Sequence, residues 1–334
     1  MFAPFRGKES HIWGFQELED PRRGFVQSID LGNTRVVQFP GALLVCGGQM
    51  TPEPGAPRSV RDYIIRHLTL TNTSVARRFV LPEDLSDWAS DSVYPNIFDL
   101  ERHLAALASA IVIFVESPGS IAELGAFCLL QGVTDKLLVF VQTCHYDSSS
   151  FIQFGPLRYL EQQNEGSVLA YPWKTSRVES HDTIVEQTVE QVRDEICEAI
   201  VKAIGTAGVN RVFDSSRDSD RMLLICALLN QMIGLKLVEI QQYMNEVGVS
   251  IPIALIKQYL YVLQHLRLVK SIKRGHPRYF FPAVTDQHLR FAVKPGKPGY
   301  DRDRLAVQIA EYYRIADRPR HSALAPVLAS MTYL

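Results

Sequence analysis

The sequence predicts an α/β protein in which a Rossmann-like parallel sheet flanked by helices precedes a small winged helix-turn-helix domain. Two patterns support this fold class. From residue 42 onwards, short apolar runs alternate with amphipathic helical stretches, which is typical of a parallel sheet with helices on both faces. From residue 206 onwards, three helical stretches precede a basic hairpin, which is the order of elements in a winged helix.

Four apolar segments predict the strands of the parallel sheet. They are ALLVCGG, ARRFVLPEDL (a strand and its loop), AIVIFVES and KLLVFVQ. The helices expected between and after them are PRSVRDYIIRHLTL, NIFDLERHLAALAS, SIAELGAFCLLQG and one long helix, HDTIVEQTVEQVRDEICEAIVKAI. Before the first strand the periodicity is weak, so irregular or short-strand structure is expected there.

Polar segments with the letters GTAGVN and DSSRDSD indicate a boundary between two domains. The three helices expected after it are RMLLICALLNQM, KLVEIQQYMNEVG and SIPIALIKQYLYVLQHLRLV, and KSIKRGHPRYFFPA is expected to form the hairpin. A further helix, DRLAVQIAEYYRIA, precedes a tail. The predicted divisions are an N-terminal extension (1–40), the α/β domain (41–205), the winged-helix domain (206–285) and a C-terminal helix with tail (286–334).

Composition indicates a cytoplasmic protein with a large core. The chain has 334 residues, of which 46% are hydrophobic. No uncharged run approaches the roughly 18 apolar residues of a membrane span, and the start, MFAPFRGKES, lacks the apolar region of a signal peptide. The five cysteines form no C-x-x-C pair and three lie in apolar runs, so neither disulfides nor a metal site is expected. They are Cys46, Cys128, Cys144, Cys197 and Cys226.

Charge is distributed unevenly between the two predicted domains. Residues 1–205 carry 17 basic and 26 acidic side chains, whereas residues 206–334 carry 18 basic and 10 acidic ones. A basic C-terminal part suits a polyanionic partner such as a nucleic acid. It would equally suit docking on the acidic part or on another subunit.

The segment AIVIFVESPGSIAELGAF, residues 110–127, carries the clearest candidate for chemistry. Ser120 and Glu123 fit the capping box S-x-x-E, in which both side chains satisfy backbone N–H groups at a helix start. Placement supports a second interpretation, because the Gly119 turn follows a buried strand, where open α/β sheets bind ligands. Free N–H groups at the helix start favour an anion, and the helix dipole favours an ionised glutamate.

An ionised carboxylate at this position suits glycosyl chemistry. A glutamate beside a sugar can stabilise an oxocarbenium-like centre or attack it, as in retaining glycoside hydrolysis. A G-x-S-x-G elbow is lacking, so Ser120 is not expected to act as an acyl-transfer nucleophile.

The letters SPGSIAELG and the strand before them resemble the catalytic segment of the nucleoside 2-deoxyribosyltransferases and their 5'-monophosphate N-glycosidase relatives. The resemblance implies that Glu123 is the nucleophile at the anomeric carbon and that Asp99, on the preceding helix, contacts the leaving base. Ser117 stands where the transferases carry an aspartate, which favours a phosphorylated substrate over a free deoxynucleoside. Residues implied to hold sugar and phosphate are Gly47, Gly48, Ser59, Arg61, Ser117, Gly119 and Ser120.

Over residues 40–285 the order of domains is similar to that of retron effector proteins, which join such a glycosidase-like domain to a winged helix. The resemblance implies a toxin of antiphage defence, held inactive by a reverse transcriptase and its multicopy single-stranded DNA (msDNA), an RNA–DNA hybrid. It also implies NAD or a related nucleotide as the substrate, with no further cofactor. A homo-oligomer or a larger nucleoprotein assembly is expected, with no membrane partner.

Several candidates keep an ordinary alternative. Asp99 is as well explained as a solvated helix residue, and Arg61 with Asp62 as an exposed pair at a helix start, which we favour for Asp62. Glu116 is placed to orient a ribose hydroxyl, although carboxylates at strand ends commonly lie on the surface. The loop residues His145 and Tyr146 either line the crevice or are structural.

Basic side chains cluster at the end of the predicted recognition helix and in the wing. The predicted nucleic-acid-binding residues are Lys257, Arg267, Lys270, Lys273, Arg274, His276 and Arg278. Tyr259, Tyr261 and Tyr279 either stack on exposed bases or, as we favour for at least two of them, pack in the core. Two other functions stay open: a nucleotide-sensing DNA-binding regulator without turnover, and a winged helix that docks only on protein.

Overall fold

Strands and helices alternate through most of the chain, in the order that the sequence predicts. The computed structural model describes residues 19–37, 39–52, 54–88, 93–178, 181–205, 210–284 and 286–331. The strands are β1 (Ile29–Val36), β2 (Ala42–Cys46), β3 (Phe79–Val80), β4 (Ala108–Val115), β5 (Leu137–Gln142), β6 (Val168–Tyr171), β7 (Thr175–Val178), β8 (His181–Ile184), β9 (Arg211–Val212), β10 (Leu235–Lys236), β11 (Val269–Lys273), β12 (Arg278–Pro282) and β13 (Leu289–Val293).

The helices surround these strands. They are α1 (Pro21–Ser28), α2 (Val60–Thr71), α3 (Thr73–Ala76), α4 (Ile97–Leu107), α5 (Pro118–Phe127), α6 (Thr143–Tyr146), α7 (Arg158–Gln163), α8 (Glu186–Glu190), α9 (Arg193–Gly205), α10 (Asp218–Met232), α11 (Leu237–Glu246), α12 (Ile253–His265), α13 (Arg302–Ala316) and α14 (Arg318–Met331). Short 3₁₀ segments lie at Pro82–Trp88 and Thr134–Lys136, and a π-helical turn lies at Gln153–Leu157.

A five-stranded parallel sheet in the order β3-β2-β4-β5-β6 forms the centre of the first half of the chain. Its strands are apolar throughout because both faces are covered, which is expected for a buried parallel sheet. One face packs with α2 and α9, and the other packs with α4, α5 and the C-terminal helices. The prediction of a mixed α/β protein with a parallel sheet flanked by helices is confirmed.

The second half contains the predicted series of three helices and a hairpin. Helix α10, strand β10, helices α11 and α12 and the hairpin β11–β12 follow one another, and the three strands pair in the order β10-β12-β11. The apolar faces of these helices share one core with the α4 and α5 side of the parallel sheet. The two halves of the chain are therefore packed against each other.

Several segments differ from the predicted elements, among them β6, a fifth strand of the parallel sheet that was not predicted. The long helix expected from His181 begins instead as strand β8, which pairs with β7, and the helical part is divided into α8 and α9. Here the β-branched start, HDTI, suits a strand better than a helix. The segment predicted as a tail contains helix α14, and residues 21–36 of the N-terminal extension form α1 and β1.

The N-terminal segment packs against C-terminal elements. Strand β1 lies between β13 and β9 in an antiparallel sheet. Arg22 of α1, whose side chain is 8% exposed, bonds to Asp20 at 2.7 Å and to Glu239 of α11 at 3.2 Å. Arg320 of α14 binds the same Glu239, so one partly buried carboxylate joins α1 and α14. None of the helices among the described residues is long and apolar enough to cross a membrane.

Candidate functional site

The loops after β2 and β4 meet at the carboxyl end of the sheet. These strands are neighbours in parallel register, with Cys46 opposite Ile113. The Ser117 hydroxyl donates a hydrogen bond to the carbonyl of Gly47 at 3.1 Å and so connects the two loops. The segment around Glu123 therefore lies at the edge of the sheet where parallel α/β proteins bind ligands.

Helix α5 begins one turn earlier than a capping box of Ser120 and Glu123 requires. Ser117 is the N-cap and Pro118 the first helical residue, and the capping interaction is the reciprocal one between Ser117 and Ser120. Proline suits this position because its missing N–H has no partner there anyway. Gly119 is exposed in this first turn, and a Cβ added to it would lie 3.8 Å from the Ser117 hydroxyl oxygen. The expected Ser120–Glu123 capping box is therefore wrong, and Glu123 lies beyond the first turn.

Glu123 is half-buried and close to groups from three other segments. Burial raises the pKa of its carboxyl, and a hydrogen bond from the Cys46 thiol and the positive charge of Arg61 oppose that rise. The negative charge of Glu83 acts in the same direction as burial. The ionised form of Glu123 is thus favoured by Cys46 and Arg61, and not by the helix dipole as the sequence analysis expected.

A second carboxylate, which the sequence analysis missed, lies close to Glu123. Glu101 of α4 is only 6% exposed. Burial, with the negative charge of Glu123, raises the pKa of Glu101 to about 7. The signal was present in the sequence, because Glu101 interrupts the apolar stripe of α4 between Ile97 and Leu104, where a charge is unexpected.

Asp99 makes different contacts from those of Glu101, although both belong to α4. Its carboxylate accepts a hydrogen bond from the Asn96 side chain at 3.0 Å and lies 3.5 Å from Arg102. Arg102 in turn contacts Asp218 of α10 at 2.9 Å. Asp99 therefore contacts Arg102, the side chain that also binds α10. A contact of Asp99 with a leaving base stays a prediction.

Arg61 and Asp62 are both buried, at 4% and 0% exposure, so the expectation of an exposed pair is wrong. The guanidinium of Arg61 donates to the carbonyl of Val45 at 3.3 Å and to Glu83 at 3.2 Å. Its Nε has no hydrogen-bond partner among the described residues. Asp62 binds Arg66 and the N–H of Thr51, and so holds the loop after β2 against α2.

Glu116 has its carboxylate turned into the first βα turn of the sheet. One oxygen accepts the backbone N–H groups of Gly48 and Arg61, at 2.9 and 3.0 Å, and the other accepts that of Val60 at 2.8 Å. Burial raises the pKa of this carboxyl, while the three N–H donors oppose the rise. A carboxylate engaged in this way is not placed to orient a ribose hydroxyl.

The remaining predicted binding residues shape the same turn. A Cβ on Gly48 would lie 2.6 Å from the Cβ of Ser59, and one on Gly47 would lie 2.9 Å from that of Arg61, so only glycine fits at both positions. The Ser59 hydroxyl caps α2 by accepting the N–H of Asp62. The turn is thus closely packed by its own side chains.

The segment after β5 contains His145 and Tyr146, which were predicted either to line the crevice or to be structural. His145 is exposed, and the Tyr146 hydroxyl donates to Glu161 at 2.7 Å, which accounts for this tyrosine without a ligand. No group of three or more His, Cys, Asp or Glu side chains in the described part of the chain could hold a metal ion.

All seven basic residues predicted to bind nucleic acid are exposed, but they do not form one patch. Lys257 and Arg278 line a groove of about 420 Å³ together with Lys236, which the sequence analysis missed. Arg267 lines a second groove, of about 590 Å³, together with Arg77. The others lie on strand β11 or in the hairpin turn: Lys270, Lys273, Arg274 and His276.

The three tyrosines near these cations are buried. Tyr259, Tyr261 and Tyr279 are exposed by 0%, 7% and 1%, respectively, so they belong to the core and do not stack on exposed bases. Tyr259 and Tyr261 lie on the side of α12 that contacts the α/β part of the chain. The Tyr261 hydroxyl donates to Asp87, and that of Tyr259 donates to Asp218 at 2.5 Å.

Comparison with known proteins gives one family match and two similar proteins. A family described as the STM3845 retron effector protein matches residues 57–271, more than half of the chain. Two similar proteins of Escherichia coli are named as putative ribosyltransferase/DNA-binding proteins of retrons Ec86 and Ec73. They are 38% and 36% identical over 89 and 77 residues, which are 26% and 23% of this chain. The matches cover only 29% and 24% of those relatives.

Proposed function

Because the chain belongs to the STM3845 retron effector family, we propose that it is the toxic effector of a retron antiphage system and hydrolyses the N-glycosidic bond of NAD or a related nucleotide. Its activity is then held silent by the retron reverse transcriptase and msDNA in the cytoplasm. The names of the two similar proteins, putative ribosyltransferase/DNA-binding protein, support a glycosyl reaction joined to nucleic-acid binding.

The observation that carries the enzymatic proposal is the pair of neighbouring carboxylates, Glu101 and Glu123, whose surroundings differ. The charge of Glu123 helps to raise the pKa of Glu101 to about 7. The thiol of Cys46 and the guanidinium of Arg61 stabilise the ionised form of Glu123. Burial still raises the pKa of Glu123, but these two groups limit the rise, and Glu101, with a pKa of about 7, is partly protonated near neutral pH. Two carboxyl groups whose surroundings shift their pKa values differently are the usual arrangement for glycoside cleavage.

In this reaction the bond between C1' of the ribose and the base nitrogen breaks, and its electron pair leaves with the base. Glu123 attacks C1' or stabilises the positive charge that develops on it. Glu101 gives its proton to a base that would otherwise leave as an anion, and its carboxylate afterwards takes a proton from the water that attacks C1'. Nicotinamide leaves NAD as a neutral molecule and needs no proton, so with NAD it is the fraction of Glu101 that is already ionised that takes the proton of the water.

The other predicted binding residues complete the proposed site. Ser117 and Gly119 hold the sugar side from the start of α5, and Arg61 lies between Glu123 and the first βα turn. Ser120 is fully buried and its hydroxyl bonds to the backbone of Ser117, so it supports this turn and does not contact the sugar. Asp99 stays the alternative contact for the base that the resemblance implies, since its carboxylate is partly exposed, at 37%.

The test is base release by purified protein, alone and with the reverse transcriptase and msDNA, measured by chromatography of NAD and nucleotide reactions. Glu123→Gln keeps the shape of the side chain but removes its charge, and should reduce release of nicotinamide by at least about 10³-fold. Glu198→Gln, an exposed change on α9, is the matched control. Full turnover by a folded Glu123→Gln protein would contradict the mechanism. Asp99→Asn and Glu101→Gln, compared in the same assay, then show which of the two carboxyl groups acts on the leaving nucleobase.

We also propose that residues 218–282 form a winged helix, in which α12 is the recognition helix and β11–β12 the wing. The observations in support are the order of elements and the exposed cations Lys257 and Arg278 on one groove. Nucleic-acid binding that weakens with salt is the expected result. Ligand-dependent DNA binding without any base release would favour a nucleotide-sensing regulator instead.

A further inference from the structure

The first βα turn of the parallel sheet already holds an anion of its own, the carboxylate of Glu116. We propose that Glu116 is a specificity residue that fills the phosphate position of this turn and thereby excludes substrates that would place a phosphate there. The expected substrate preference rests on the proposed function. The exclusion of phosphate from the turn concerns anion binding alone and does not depend on whether the protein cleaves a nucleotide.

In doubly wound α/β proteins, the glycine-rich turn after the first strand and the N-terminus of the following helix bind phosphate. Here that turn is Gly47 and Gly48 after β2, followed by the start of α2. Its backbone N–H groups converge on one point, and the positive end of the helix dipole favours a negative charge there. A phosphate oxygen at this point would bind the same donors that Glu116 binds now.

The donors at this turn are fully used. The N–H groups of Gly48, Val60 and Arg61 all point to the Glu116 carboxylate at 2.8–3.0 Å. The next N–H of the helix, that of Asp62, is capped by the Ser59 hydroxyl at 3.0 Å. A phosphate therefore finds neither a free donor nor space, and it would meet a carboxylate whose charge repels it.

The turn is also built closely around this carboxylate. A Cβ on Gly48 would lie 3.1 Å from the Glu116 carboxyl carbon, and one on Gly47 would lie 3.1 Å from its Oε1. Arg61 supplies a backbone donor to the same point, and its side chain is 5% exposed with an Nε that no described residue binds. Because the other N–H groups of Arg61 donate to Val45 and Glu83, its Nε–H is the donor left without a partner among the described residues beside the filled turn.

A filled turn determines which class of nucleotide can bind. Nucleotides whose only phosphate must lie in the first βα turn are poor ligands. Nucleotides that keep their phosphates outside the turn are accepted, with the sugar near Glu123 and an oxygen of the ligand on Arg61. For the proposed reaction this favours NAD over nucleoside monophosphates.

The experiment uses inorganic phosphate as the probe and the full-length protein. Glu116→Ala empties the turn, so we expect saturable phosphate binding by calorimetry, at least about tenfold tighter than in the wild type, and a melting temperature that rises with phosphate. Glu116→Gln fills the same volume and should bind phosphate no more tightly than the wild type. Glu198→Ala is the matched control for loss of a carboxylate.

Two results would overturn the inference. One is a folded Glu116→Ala protein whose phosphate binding equals that of the wild type, which would make Glu116 only a cap of α2. The other, which needs no variant, is a wild-type protein in which phosphate shifts the amide resonances of Gly48, Val60 and Arg61. Neither readout requires base release, so a failed activity assay would leave this test intact. With turnover established, the ratio of monophosphate to NAD cleavage should rise in Glu116→Ala.

Discussion

Replacing Glu101 with glutamine should abolish a large pH dependence of stability. In the folded protein, burial and the charge of Glu123 raise the pKa of Glu101 from 4.5 to about 7. Each tenfold change in an equilibrium constant is worth about 1.4 kcal/mol, so this displacement corresponds to about 3 kcal/mol between the two protonation states. Glu101 is 6% exposed, so solvent screens little of it.

The sign follows from which state holds the proton. Between pH 4.5 and about 7 the unfolded chain has lost the Glu101 proton, whereas the folded protein keeps it. The stabilisation from the protonated group is therefore complete below pH 4.5 and is lost as the pH rises through about 7. Glutamine does not titrate, so the variant should lack this decline and should exceed the wild type by up to about 3 kcal/mol at pH 8, relative to their difference at pH 4.

Urea unfolding followed by circular dichroism, at intervals from pH 4 to pH 8, measures the difference between the two proteins. Asp99→Asn, on the same helix but at 37% side-chain exposure, is the matched control and should keep the decline of the wild type. Parallel stability curves for the wild type and Glu101→Gln across this range would refute the reasoning. They would show that Glu101 ionises normally and is not the proton carrier of the site.

Three further predictions concern activity, nucleic-acid binding and the contacts of Arg22. Glu101→Gln should slow release of a purine by about 10²–10⁴-fold but release of nicotinamide much less, because only the purine needs a proton; equal losses would contradict that role. Lys257→Ala with Arg278→Ala should lower the salt slope of nucleic-acid binding by about 2, whereas Lys202→Ala should leave it unchanged. Arg22→Met should cost about 1–3 kcal/mol in urea unfolding, since it removes a donor from two partly buried carboxylates, of which Glu239 keeps Arg320, and an unchanged unfolding midpoint would argue against this role.

The strands and helices of the fold were largely predictable, because their apolar periodicity reflects burial on one or both faces. Continuous apolar runs such as AIVIFVES become central strands, and RMLLICALLNQM becomes the buried helix α10. The errors arose where local pattern and tertiary pairing disagree. His181–Ile184 was assigned to the following helix although its β-branched residues suit a strand, and its pairing with Thr175–Val178 was not predicted.

The candidate site was predictable at Glu123, whose segment has a sharp motif, but less so around it. Glu101 was missed although it lies on the apolar stripe of α4, because an acidic residue in a helix is more often solvated. The role of Glu116 could not be predicted, because its three donors come from residues 55 to 68 positions earlier in the chain. Contacts over such distances depend on the packing of β2, β4 and α2.

Helix α4 connects the two candidate sites, since neighbouring residues on it serve different partners. Glu101 faces the crevice of Glu123, while Arg102 binds Asp218 of α10 at 2.9 Å and the buried His103 lies 2.8 Å from the Tyr94 hydroxyl. That hydroxyl donates to the backbone of α12 at 3.0 Å. A shift of α12 would break these short hydrogen bonds unless α4 moved with it, and α4 carries the proton-bearing carboxyl. The residues that contact the C-terminal helices and the carboxyl of Glu101 are therefore carried by one helix, α4.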